Sequence, residues 1–546
     1  MMSAAAIPFD YVIVGAGAAG CVMANRLSAD PGTRVLLLEA GGRDRHPFIH
    51  MPKGIAKVMA DPAFIWPFMT QAEPASNDVA ESWARGRTLG GSSAVNGMVY
   101  VRGQAADFQA LADIAGDEWG WDRIGAAYKA MEGHELGPAR TRGGDGPLRI
   151  SMPTIRTKLT EAVISAGQAL GLERRDDVND PADSQRIGYA PRTIWKGKRQ
   201  SAAVAFLAPV RARPNLTVLT GVAVDRILFD KHRAVGVAAR KDGVAVTFKA
   251  LSEVILAAGA LSTPALLQRS GVGPAGLLRQ HGIAVRHDSA EVGANLREHR
   301  GMVMQWRVKD HLSQNRDFQG LRLLANTARY YLTHDGPMAN AAYEIGAWFK
   351  SRPDLDRPDG QILIAPFTFD YARPTFRMER QGGMNFCVYR LRPESTGSVR
   401  IGSADPGQLP AIMPNYSALE SDRRAMGDIT RFARRLAAQA PLAGLIEAET
   451  RPGPDYQSDA ELALAHRRYG YGSYHACGTC RMGRDPASVV DPELRVRGVD
   501  GLRVVDSSVF PFMLSGNTNG PAMAVAWRAA DLILNGPAAS SNGATP

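Results

Sequence analysis

The chain has 546 residues, more than one hydrophobic core usually supports, which predicts two domains. With 45% apolar and 22% charged residues it falls outside the disordered and fibrous classes, and no apolar run reaches the roughly eighteen residues that a membrane-spanning helix needs. The net charge of +10 comes from scattered basic residues and short pairs such as Arg423–Arg424, Arg434–Arg435 and Arg467–Arg468, so a solvated surface is expected and no nucleic-acid partner.

The N-terminus, MMSAAAIPFD, lacks a basic segment followed by a long apolar run, and a cytoplasmic protein is expected. FDYVIV, from Phe9 to Val14, predicts a strand that ends in a glycine-rich turn. A helix follows, with Cys21, Val22, Ala24 and Leu27 on its apolar face and Pro31-Gly32 as its stop. RVLLLEA, from Arg34 to Ala40, is continuously apolar, as a strand covered on both faces should be. Together these make a right-handed strand–helix–strand unit and imply a parallel sheet. Further strand-like runs are expected at 215–229, 253–260 and 501–509, and PAMAVAWRAADLIL (521–534) predicts a closing helix. The intervening stretches are more polar and richer in Pro and Gly, which suggests a nucleotide domain built from separated segments with a second domain inserted among them.

Gly15-Ala-Gly17-Ala18-Ala19-Gly20 is a G-x-G-x-x-G placed between strand and helix. Gly15 permits the tight turn, Gly17 lets backbone amides approach a pyrophosphate, and Gly20 lets helix and strand pack closely. The positive helix end favours phosphate charge. Glu39 ends the second strand where a carboxylate accepts ribose hydroxyls. A second Gly/Ser-rich turn, ARGRTLGGSSAVNGMVYVRG (84–103), favours a large bound flavin nucleotide over NAD, because it offers further backbone donors to the same molecule. Cys477 and Cys480 form a C-x-x-C with only His475 close by, so small buried residues are expected and no metal.

Several of these stretches resemble the glucose–methanol–choline oxidoreductase family, in its alcohol- and choline-dehydrogenase-like or hydroxymethylfurfural-oxidase-like branch. The 84–103 turn is similar to the family's first signature and GALSTPALLQRSGVG (259–273) to its second. WPFMTQAEP (66–74), EVGANLREH (291–299), HACGTCRMG (475–483) and GLRVVDSSVFP with GNTNGPAMAV (501–525) complete the likeness, which runs from about residue 9 to 535. It implies an α/β (α+β two-domain) chain: a Rossmann-like FAD-binding domain with an inserted substrate-binding domain that contains an antiparallel sheet. The expected division is 1–155, 200–300 and 464–536 for FAD, 156–199 and 301–463 for substrate, and a flexible tail at 537–546.

The resemblance also implies site residues. Gly15, Gly17, Ala18, Ala19, Gly20, Glu39 and Ala40 map to the ADP part. Arg87, Gly90, Gly91, Ser92, Asn96 and Gly97 map to the pyrophosphate and flavin, and Val224 to the adenine contact. Asp506 and Asn519 map near the ribityl chain and the pyrimidine ring, and Ala258 and Gly259 are further cofactor-binding residues. Val95 stands where some members carry a histidine bonded to FAD, so non-covalent FAD is expected. Two further departures, Glu298 for the usual Asp and DFQAL at 107–111, bear on packing.

Alcohol oxidation needs an acceptor for the hydroxyl proton, and histidine suits that task. His475 lies in the family's catalytic motif. In the family the second polar residue lies thirteen positions before the alanine of a closing Ala-Asp pair, so with Ala530 there the resemblance implies Asn517 as partner, which positions the alkoxide because asparagine cannot take the proton. Asn519 could equally be a helix cap. Phe367, Phe369, Tyr371, Phe386 and Tyr389 fit an aromatic pocket or ordinary strand core, and apolar or aromatic primary alcohols are favoured as substrates. The reading is therefore FAD-dependent oxidation of an alcohol, with oxygen or a quinone as electron acceptor, by a monomer or homodimer. A hydroxynitrile lyase, which also keeps a catalytic histidine, and a flavin-containing binding protein are the alternatives; a light-driven decarboxylase would lack the His475–Asn517 pair.

Overall fold

A computed structural model describes residues 8–371 and 377–535; the expected tail at 537–546 lies outside the described residues. The N-terminal unit forms as its pattern predicts. Strand Phe9–Val14, helix Ala18–Leu27 and strand Val35–Glu39 follow one another, and the two strands pair in parallel. Val12, Ile13, Leu36 and Leu37 are fully buried, which is why the runs are continuously apolar.

A seven-stranded sheet grows outward from this pair, in the order Leu216–Thr220, Val35–Glu39, Phe9–Val14, Val244–Leu256, Arg233–Lys241, Val222–Asp230. Leu502–Val504 joins beside the inner end of Val244–Leu256. The strands around Phe9–Val14 are parallel, while Val222–Asp230, Arg233–Lys241 and Val244–Leu256 form an antiparallel meander. Three strand expectations need correction. The 215–229 run breaks at Gly221, whose φ of +72° turns the chain while its N–H reaches the Gly41 carbonyl at 2.8 Å. The strand expected at 253–260 is the end of a longer one, and Ala257 onward leaves the sheet. At 501–509 only Leu502–Val504 is extended, because Asp506 accepts from the Ser508 amide at 2.8 Å and starts the short 3-10 turn Ser507–Val509. The closing helix spans Asn519–Asn535, two residues longer at its start than expected, and packs with Ala18–Leu27 in the same core.

The second sheet has eight strands, ordered Ile446–Arg451, Arg300–Val308, Gly383–Arg390, Gly360–Ala365, Ile345–Phe349, Arg186–Tyr189, Glu173–Arg174, with Gly470–Gly472 beside Arg300–Val308. All its pairs are antiparallel except the last, Arg186–Tyr189 with Glu173–Arg174. Side chains alternate between its faces. Met302, Met304, Ile362, Ile364, Phe386 and Val388 pack under helices Lys158–Ala169 and Glu420–Ala437, where Phe349 stacks on Phe432 at 3.8 Å. Each large side chain buried there contributes about 2 kcal/mol. Val303, Leu363, Cys387 and Tyr389 point to the other face, toward the nucleotide-type sheet. The arginine pairs read as surface features lie on helices, Arg423–Arg424 and Arg434–Arg435 on Glu420–Ala437 and Arg467–Arg468 on Asp459–Tyr469.

Candidate active site

A cavity of about 1170 Å³ runs between the two sheets, from the N-terminal glycine turn to Tyr389 and His475. At one end Gly15 has a φ of +101°, and a Cβ there would lie 2.6 Å from the Ala257 carbonyl oxygen. Helix Ala18–Leu27 begins with no side-chain cap and no acidic residue in its first turn, so its positive end faces the cavity unneutralised. Gly17, Ala18 and Ala19 line the wall there. Gly91 touches Gly17 so closely that a Cβ would stand 2.7 Å from the Gly17 Cα. Gly20 and Gly90 are not on the wall. Gly20 packs helix on strand, where a Cβ would collide with the Gly15 carbonyl, and the Gly90 amide donates to the Ala16 carbonyl at 2.8 Å to hold the second turn against the first.

Most of the other expected nucleotide residues line the same cavity: Glu39, Ala40, Arg87, Ser92, Asn96, Gly97, Val224, Ala258, Gly259, Asp506 and Asn519. Glu39 accepts from the Ala16 amide at 3.0 Å and the Gly41 amide at 2.8 Å, and its burial pushes the carboxyl up to about 7 against those two donors. The Arg87 guanidinium lies 4.6 Å over the Trp66 ring, and its buried Nε has no protein partner. The Asp506 oxygens are engaged by Gly259 N at 2.8 Å, Thr263 Oγ1 at 2.6 Å and Ser508 N, so this carboxylate shapes the turn around Gly259. Asn96 Oδ1 likewise accepts from Met98 N at 3.1 Å and Arg199 Nη1 at 2.8 Å.

At the other end His475 and Asn517 meet, with Nε2 and Nδ2 2.8 Å apart. Two residues that sequence reading left in the background complete the group. His475 Nδ1 lies 2.9 Å from His299 Nδ1, and the His475 amide donates to Glu298 Oε1 at 2.7 Å. His299 Nε2 is 2.8 Å from the Leu391 carbonyl. A carbonyl only accepts, so His299 carries its proton on Nε2 and presents a lone pair at Nδ1. His475 must then donate from Nδ1, which leaves Nε2 as a lone pair turned to Asn517. Burial holds His299 down to about 4 and His475 well below the usual histidine range, the latter helped by His299 and Arg85, so both rings are neutral near neutral pH. Glu298, beside Arg85 at 3.5 Å, is pushed up to about 7 by burial. Tyr474, just before His475, holds a φ of +67°, a costly conformation for an aromatic residue, and the next amide is the one that reaches Glu298.

The five candidate pocket aromatics divide. Phe369, Tyr371 and Tyr389 line the cavity, with the Tyr389 ring 4.7 Å from His299 and 5.8 Å from His475. Phe367 and Phe386 are buried core. Tyr343, Cys387, Tyr471, Ser473 and Tyr474 line the wall as well; Tyr343 and Cys387 lie far from His475 in the chain, and no pattern marks the three residues in the segment just before it. Cys477 and Cys480 are fully buried free thiols; among the described residues no cluster of His, Cys, Asp or Glu is arranged to hold a metal.

Known proteins resemble this chain over nearly its full length. The two family models described as GMC oxidoreductase match residues 9–301 and 393–526. The alcohol dehydrogenase [acceptor] of Pseudomonas putida is 38% identical over 531 residues, 96% of each chain. The mitochondrial choline dehydrogenase of Homo sapiens is 37% identical over 541 residues, 97% of this chain and 90% of that protein. Among solved structures, pyridoxine 4-oxidase from Mesorbium loti superposes with a TM-score of 0.86 at 32% identity, over 96% of this chain and 98% of that one. An Aspergillus oryzae RIB40 formate oxidase, studied for an R554A effect on FAD modification, gives 0.90 at 28%, over 97% and 99%. Among the described residues no helix is long and apolar enough to cross a membrane.

Proposed function

The chain belongs to the GMC oxidoreductase family, and from that premise we propose that it oxidises a primary alcohol with an aromatic or apolar body to the aldehyde, with His475 as base and Asn517 as its hydrogen-bonding partner. As a member it is an FAD-dependent enzyme acting on CH–OH donors. The residues present fit that cofactor: the glycine cradle at Gly15, Gly17 and Gly91, the uncapped helix start and the unpartnered Arg87 Nε suit a pyrophosphate, and Glu39 suits a ribose. Val95 offers no nucleophile, so the flavin is held without a covalent bond. When bound, FAD supplies the acceptor for the hydride that leaves the alcohol carbon.

The protein's own part is the proton. The hydroxyl donates to His475 Nε2 and accepts from Asn517 Nδ2, replacing their 2.8 Å contact. His475 takes the proton, and Asn517 stabilises the oxygen as negative charge develops. The fixed lone pair at Nε2 carries this reading. Electrons then pass to oxygen, a quinone or another acceptor, in a protein we place in the cytoplasm.

An anaerobic panel of alcohols, followed by bleaching of the visible flavin band, tests it. A primary aromatic alcohol should bleach the flavin, and His475→Ala should slow reduction by on the order of a hundredfold or more. Cleavage of a cyanohydrin with no alcohol able to bleach the flavin would overturn the assignment in favour of a lyase.

A further inference from the structure

The proton-transfer pair leaves a second group of polar side chains in the cavity unused. Tyr343, Cys387 and Tyr471 all line it. Cys387 Sγ lies 3.0 Å from the Tyr471 hydroxyl, and Tyr343 packs beside them against the same cluster. Two phenols and a thiol at the corners of this triangle carry three hydrogens between them, and the Cys387–Tyr471 contact uses one. Acceptor lone pairs on the two phenol oxygens remain for a ligand, and either hydroxyl can rotate to donate instead.

Strand register fixes where this triangle stands relative to His475. Tyr389, against His475, pairs across the sheet with Gly301 and Gln361; Cys387, against Tyr471, pairs with Val303 and Leu363. Tyr389 and Cys387 are alternate residues of one strand, so they face the same way about 7 Å apart. Val303 and Leu363 flank Cys387 with apolar surface, and Phe369 and Tyr371 supply ring faces. A flat body lying over Val303 and Leu363, with its hydroxyl at His475 and Asn517, puts its far end at the triangle.

We propose that Tyr343, Cys387 and Tyr471 form a second polar subsite that binds an oxygen-bearing substituent at the far end of the substrate. The preferred substrates are uncharged aromatic primary alcohols carrying a hydroxyl, hydroxymethyl or aldehyde group across the ring. This rests on the alcohol-oxidase or dehydrogenase reading above and narrows it. A quaternary ammonium alcohol is poorly served. Its cationic end has no N–H or O–H to offer the triangle, and the Tyr371 ring already carries the Arg451 guanidinium at 4.0 Å.

The test compares para-(hydroxymethyl)benzyl alcohol with para-ethylbenzyl alcohol, its apolar isostere, and with choline, using the flavin-loaded enzyme. In the wild type the diol should exceed the isostere in kcat/KM by about tenfold, beyond the doubling that two equivalent ends give, because one buried hydrogen bond separates them. Tyr343→Phe and Tyr471→Phe should lower that ratio toward two, chiefly through KM for the diol. Equal use of diol and isostere by the wild type, a preference for choline, or a ratio unmoved in both variants would overturn the subsite. The wild-type comparison stands even if a variant fails to fold. If no alcohol of any class reduces the flavin, the failure belongs to the underlying alcohol reading.

Discussion

Replacing His299 by Phe tests whether the second histidine fixes the tautomer of the first. Phe keeps the ring volume and the contact with Tyr389, whose centroid is 4.7 Å away, but removes the acceptor for the His475 Nδ1 proton 2.9 Å off. His475 then either keeps an unsatisfied buried N–H or moves its proton to Nε2, where it donates and cannot act as base. The loss of one buried hydrogen bond is about 1–3 kcal/mol. Expressed in the rate, that is a decrease of roughly ten- to a hundredfold in anaerobic flavin reduction measured by stopped flow. The pH profile supplies a readout that simple loosening would not move. Wild-type reduction should be level through neutral pH, with an acid limb below the usual histidine value of 6.5, because burial, His299 and Arg85 all disfavour the imidazolium. Without His299 that limb should move upward. His299→Gln, which has one acceptor and one donor at similar reach, should recover much of the rate. Wild-type kinetics with an unshifted limb in His299→Phe would refute the tautomer argument.

Asn517→Ala should slow flavin reduction by about tenfold or more with FAD still bound; loss of flavin absorbance on purification would place this residue in cofactor binding instead. Gly15→Ala should abolish FAD retention, read as a colourless protein after gel filtration, since its Cβ would lie 2.6 Å from the Ala257 carbonyl oxygen at a φ of +101°. Mild acid should weaken what the buried histidines contribute, while Glu39 and Glu298, raised to about 7, act in the opposite sense. His299 and His466 are held at about 4 and about 3 when folded, against 6.5 when free, so the unfolded chain binds more protons in that window. The contribution of these two histidines is therefore full above about pH 6.5 and falls as pH drops toward 4, by up to about 3 kcal/mol for His299 alone. His466→Phe should therefore lose less melting temperature than the wild type between about pH 7 and about pH 5, and an equal loss would contradict this.

Local pattern made the nucleotide end legible. Gly15 through Gly20 and Glu39 lie within one strand–helix–strand unit, where spacing along the chain is also spacing in space, and the structure puts nearly all of them on the cavity wall. Periodicity served less well where turn chemistry broke a run, as at Gly221 and Asp506, each apolar enough in its surroundings to be read through. The histidine end of the cavity was legible only in part. His475 and Asn517 are 42 residues apart and were found by motif, whereas His299 lies 176 residues before His475, and Glu298 177 before it. Nothing in the order of residues says that a histidine starting one strand of the second sheet will meet a histidine in a turn of the last segment.

That meeting explains why the unusual backbone sits where it does. His299 precedes strand Arg300–Val308 directly, so its position is set by the second sheet, while Asn517 precedes helix Asn519–Asn535, which packs in the core of the first. His475 has to reach both within 2.9 Å. The turn that carries it is tied at Ser473 to the His299 carbonyl at 2.9 Å and at Cys477 to Arg297 at 3.0 Å, which pins the chain on either side of the left-handed Tyr474. Strain at that residue is thus held by pairing with the segment that supplies His299 and Glu298. Tyr474→Gly should relieve the φ penalty of order 1–3 kcal/mol and raise thermal stability, yet lower the rate of flavin reduction as the His475 ring gains freedom. Parallel measurement of melting temperature and reduction rate separates the two effects. A variant both more stable and equally fast would mean that the ring is positioned by His299 and Asn517 alone, with no contribution from the turn.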